Sequence, residues 1–172
     1  MLAGVEFTHD CRNYTNKLCL SGCSLGNALQ ARQEIVALRR EMLAENPQHA
    51  YHLQQLAYAL SGLAGVQIQI GLGNESVESF EEAVAIMRRM HVNEPDNRDI
   101  EWEMLYREAR LARYLLSLGQ SERAWDLLDR MSERVFDLAE NPDYSGLLHA
   151  VDAERFRSDY GRALIERGEI AA

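Results

Sequence analysis

Five histidines, three cysteines and 27 carboxylates are available for chemistry in this chain of 172 residues. Their spacing decides what they can do. His49 and His52 stand three apart just after Pro47, so one helix face would carry both. A metal needs further donors at ligand spacing, and neither an H-E-x-x-H motif nor a carboxylate partner accompanies them. They read as solvated residues of a first helical turn. Glu6 and His9 form one Glu-x-x-His, whereas a di-metal carboxylate bundle takes two such motifs and further glutamates. Cys11, Cys19 and Cys23 are odd in number and lack the C-x2-C pairing of structural zinc sites. They read as small core residues rather than a disulfide framework.

Nucleophilic and phosphate chemistry fare no better. Ser61-Gly62-Leu63-Ala64-Gly65 has the small residues of a nucleophile elbow or dinucleotide loop, but it lacks the strand–turn–helix setting both require. Its small side chains let two helices approach closely. No G-x-x-x-x-G-K-[ST] occurs, and Lys17 is the single lysine. Glu75, Glu78, Glu81 and Glu82 belong to the polar face of a helix, where solvated charge is ordinary. The expectation is a chain with no catalytic residue, no metal and no cofactor, and not an enzyme.

Composition narrows the partners. The net charge is -9, which opposes phosphate neutralisation, so nucleic acid is not an expected partner. A hydrophobic fraction of 47% is too high for a disordered chain, and no apolar run reaches the roughly 18 residues of a membrane span. The N-terminus has no basic region leading into an apolar stretch, so a cytoplasmic location is expected.

The elements that must position any site repeat along the chain. Leu25-Gly26, Leu72-Gly73 and Leu118-Gly119 recur 47 and 46 residues apart, and Arg167-Gly168 follows 49 later. Glu45-Asn46-Pro47, Asn93-Glu94-Pro95 and Glu140-Asn141-Pro142 alternate with them. Each marker suits a helix stop, glycine by the left-handed conformation and proline by restricting the residue before it. Between stops, apolar residues fall three and four apart, as in Phe80, Ala83, Val84, Met87 and Met90. The pattern predicts seven helices: 10–24, 28–44, 49–71, 76–92, 98–117, 121–138 and 144–166. They alternate as first and second helices of hairpins spanning 10–47, 48–95 and 96–142, followed by a capping helix in 143–168. All of 1–172 forms one domain.

This pattern resembles the tetratricopeptide repeat, in a long variety like that of bacterial multidomain signalling proteins. The likeness rests on Leu18, Leu111 and Tyr160 eight before the glycine, small residues such as Cys19 and Ala112 seven before it, Ala31 and Ala124 five after it, and the terminal prolines. The chain departs from the family at the aromatic positions, held by Thr15, Gly62, Glu108 and Arg157. Its period of about 47 also exceeds the family's 34. The resemblance implies an all-α, right-handed α-solenoid of three antiparallel hairpins plus the cap, binding a protein or peptide in its concave groove.

The first helices would line that groove at fixed offsets before each glycine. These place Asn13, Asn16 and Leu20 there in the first repeat, and Leu60, Leu63 and Gln67 in the second. The third supplies Tyr106, Ala109 and Arg113, and the last helix Arg155, Ser158 and Arg162. This set contains no acid before Glu166, although the chain is strongly acidic. Arg113 and Arg162 would hold equivalent places, ready for a carboxylate or phosphate, or for acids of adjacent helices. The positions of the family's chaperone-tail clamp read Asn16, Leu20, Ala64, Tyr106 and Arg110, which does not support that specialised use. The alternatives to a foreign partner are self-association through an open repeat face, as a homo-oligomer, or a regulatory C-terminal region of a larger bacterial signalling protein; an all-helical enzyme ranks below both, for want of a buried titrating pair.

Overall fold

The computed structural model describes residues 25–140 and 147–169. Among the described residues the chain is all-helical and has no strand: α1 (Leu25–Glu45), α2 (Ala50–Gln69), α3 (Gly73–Asn93), α4 (Arg98–Ser117), α5 (Ser121–Glu140) and α6 (Leu147–Glu166). Each corresponds to one expected helix. The expected helix over 10–24, with Asn13, Asn16, Leu20 and the three cysteines, lies outside the described residues.

Two kinds of stop alternate, as their chemistry requires. Helix α1 ends at Glu45 and α3 at Asn93, each two residues before a proline. Asn97 then starts α4, its side chain accepting from the Ile100 N–H at 3.3 Å, while Asp99 and Glu101 place negative charge in the first turn. The other stops are Schellman closures. Gly71, Gly119 and Gly168 take φ of +81°, +73° and +74°. In each, the next residue's N–H donates to a carbonyl five back: Leu72 to Gln67 at 2.9 Å, Gln120 to Leu115 at 2.9 Å, Glu169 to Leu164 at 3.0 Å.

The closing glycines correct the expected register. Gly26 sits inside α1, and Gly73 opens α3 rather than closing α2. A Cβ on Gly73 would come within 3.2 Å of Leu118 Cδ2, so its smallness serves a close approach. Gly71 is the true counterpart of Gly119 and Gly168, which shifts the second repeat by two residues. Equivalent positions then match in burial. Seven before the glycine stand Ala64 and Ala112, both 0% exposed; five after it stand Ser76 and Ala124, also both 0%. Nine after it, Phe80 and Leu128 fill the core.

Side-chain bonds show how the helices run. Gln67 with Ser79, Arg88 with Glu108, and Arg134 with Glu101 are nearly symmetric about their turns, as antiparallel neighbours must be. Bonds between helices two apart keep an almost constant offset instead: Arg40 to Glu82, Arg123 to Glu81, Tyr58 to Glu103 and Arg113 to Asp159. Helices two apart in the chain therefore run parallel. The core divides into two clusters. One, around Leu53, Leu56, Leu60 and Met87, joins α1 to α4; the other, around Phe80, Trp102, Leu111, Leu128 and Phe156, joins α2 through α6. Burying a side chain such as Phe80 contributes about 2–3 kcal/mol.

Candidate functional site

Helix α4 presents two chemically different faces. Counting by turns, Asp99, Glu103, Tyr106, Arg110, Arg113 and Ser117 form one stripe. Behind it lie Trp102, Leu105 and Leu111, which are buried, with the charged Glu101, Arg107 and Glu108 buried among them. Helix α6 carries Arg155, Asp159 and Arg162 at spacings of four and three, hence on one face. Where the α4 stripe meets α6, a shallow cleft of about 320 Å³, open mouth included, is lined by nine residues. Its floor is apolar, with Trp102, Leu105, Val135 and Phe156; Tyr106, Arg110, Arg113 and Arg155 form its rim.

The rim arginines are held differently. Arg113 Nε donates to Asp159 Oδ2 at 2.6 Å, so this arginine is an interhelical ion pair. Arg110 lies over aromatic faces, 5.2 Å from the Phe80 centroid and 5.8 Å from that of Tyr106, a cation–π position. Arg155 is exposed. Among the described residues neither Arg110, Arg155 nor Arg162 makes an ion pair.

The structure brings Tyr106, Ala109, Arg113 and Arg155 together in this cleft, with Arg162 exposed two turns along α6. It does not bring Leu60 or Gln67 there. Leu60 is 1% exposed and packs in the core; Gln67 is 7% exposed and accepts from Ser79 Oγ at 2.8 Å. Leu63, at 7%, is buried as well. The reason is the misplaced glycine. Counted from Gly71, the counterpart of Tyr106 and Arg155 is Tyr58, which is 39% exposed. Its hydroxyl donates to Glu103 at 3.1 Å, and the Arg107 guanidinium lies 4.5 Å from its ring centroid. Partial burial raises the Tyr58 pKa above its ordinary value; the Glu103 charge adds to this and Arg107 opposes it.

Glu103 and Asp159 approach this side of the molecule through their bonds to Tyr58 and Arg113, although neither lines the cleft. Sequence reasoning missed the buried charges of α4. Glu101 accepts from Arg134 Nη2 at 2.9 Å and from Arg98 at 3.2 Å, and Glu108 accepts from Arg88 Nε at 2.7 Å. The signal was present, because Glu108 and Gly62 interrupt the aromatic positions that the resemblance leads one to expect. The rings of His49 and His52 lie 4.3 Å apart between centroids, tilted at 36°. Among the described residues no group of three His, Cys, Asp or Glu side chains is placed to hold a metal ion.

No family model, curated protein or solved structure matches this chain. The reading of the site therefore rests on its own geometry. A shallow apolar floor with cationic rims, built on rigid helices, can hold a partner's side chain and orient its carboxylates.

Proposed function

We propose that the chain is a non-catalytic protein-interaction module, a right-handed α-solenoid of tetratricopeptide-like hairpins whose first-type helices α2, α4 and α6 form the partner-facing side. The constant offset of the bonds between helices two apart supports the stacking. The matched burial of Ala64 with Ala112 and of Ser76 with Ala124 supports the repeat. The cleft between α4 and α6 is the observation that carries the functional part, since it combines an apolar floor with arginines on the expected face. The partner is a protein or peptide rather than nucleic acid. The location we infer is cytoplasmic; among the described residues no helix is long and apolar enough to cross a membrane.

The test is affinity capture from the source cells with the wild-type chain and with Arg110→Glu/Arg155→Glu. These sites make no ion pair among the described residues, so the fold should persist by circular dichroism. Proteins captured by the wild type and lost with the variant support the reading. An identical captured set overturns it.

A further inference from the structure

We infer that the partner of the α4–α6 cleft is an acidic peptide segment built around one large apolar side chain. This rests on the cleft being the interaction site and names the chemistry of what it takes. Charge balance carries the inference. The chain bears -9 overall, yet three guanidiniums stand at this one cleft, and no acid is among the residues lining it. Asp159 offsets one of the three, through the Nε of Arg113. The terminal nitrogens of Arg113 make no hydrogen bond among the described residues, so they remain for a second acceptor.

Arg110 and Arg155 line the cleft from different helices, α4 and α6, and each is without an ion pair among the described residues. That arrangement suits two carboxylates on either side of an inserted side chain better than one small anion. The floor gives the complementary requirement. Leu105, Val135 and Phe156 offer hydrogen-bond acceptors nothing and an apolar side chain a good deal, because water leaves both surfaces on contact. Glu122, Asp126, Glu133 and Asp137 stand on α5 at helical spacing, with Asp129 among them paired to Arg167 of α6, so the acidic excess of the chain lies outside the residues that line the cleft.

Selection from a random library of displayed peptides of about twelve residues, against the full chain, tests this. The expected pool carries one large apolar residue with two or more Asp or Glu within about four positions. A synthetic peptide from that pool should bind at least about tenfold more weakly to Arg155→Glu and to Arg110→Glu, and more weakly in about 0.5 M than in about 0.05 M salt. A pool rich in apolar residues without excess acid, still lost on Arg155→Glu, overturns the acidic partner and leaves the interaction site standing. A selected peptide that binds the two variants as well as the wild type overturns both. Failure to enrich any peptide, together with concentration-dependent dimerisation abolished by Arg155→Glu, identifies a second copy as occupant and overturns the inference.

Discussion

The hairpins α2–α3 and α4–α5 share a scaffold and differ in what they do with it. Both close their first helix on a left-handed glycine, Gly71 or Gly119, and both bury a small residue at the same two places. Yet α2 contains no Asp, Glu, Lys or Arg, whereas eight of the twenty residues of α4 are charged. Helix α2 therefore joins the core without charge, by apolar burial and the buried Gln67–Ser79 hydrogen bond. Helix α4 uses Glu101 and Glu108 to hold Arg134 of α5 and Arg88 of α3, and keeps Tyr106, Arg110 and Arg113 for the cleft. Scaffold positions are set by closure geometry and packing volume; the remaining positions are free to carry charge, and only one hairpin does so on its first helix.

The largest effects should come from the shared scaffold. Phe80→Ala and Leu128→Ala occupy equivalent, nearly inaccessible positions, and each should cost about 3–5 kcal/mol in urea unfolding with little change of slope. A loss below about 1 kcal/mol at either would break the equivalence of the two hairpins. Next comes the charged helix. Arg134→Met leaves the buried Glu101 with only its neighbour Arg98, and should cost about 1–3 kcal/mol. No matching substitution exists in α2, where charge is absent.

Glycine substitutions sharpen the register. Gly71→Ala forces a side chain into a left-handed residue and should cost about 1–2 kcal/mol. Gly73→Ala, which only crowds Leu118, should cost less. Gly65→Ala lies within α2 with no atom within 4 Å of the new Cβ, and should stabilise by about 0.5–1 kcal/mol. Thermal unfolding of the three variants should rank them in that order, and Gly73→Ala as the most damaging would restore the other register.

The smallest effect is alkaline. The raised pKa of Tyr58 means the fold favours the protonated phenol. Its contribution is complete below the ordinary value of 10.0 and disappears as pH rises through the higher folded value. Tyr58→Phe should remove that part of the decline in urea midpoint between about pH 9 and pH 11. An unchanged decline would show that the fold does not hold the Tyr58 phenol protonated.

Much of this was legible in the sequence because the stops are local. Proline and left-handed glycine act on the backbone next to them, so the six described helices fall where the breakpoints place them. The second repeat was misread because Gly71-Leu72-Gly73 offers two glycines. Which one turns left-handed depends on the bond from the Leu72 N–H to Gln67 and on the crowding of Gly73 by Leu118, and the second of these is a tertiary contact. That two-residue slip sent Leu60 and Gln67 to the groove and hid Tyr58. Tyr106, Arg113 and Arg155 keep the expected register because Gly119 and Gly168 have no competing glycine beside them. The pairing of Arg113 with Asp159 was not legible, since it depends on how closely α4 and α6 approach.

Hydrogen–deuterium exchange of the full chain, with and without a saturating peptide from the display selection, tests the central claim most directly. The account predicts added protection in α4 over residues 102–113 and in α6 over residues 155–162, with α2 unchanged. Protection on α2 or α1 with none at α4 and α6 would contradict it.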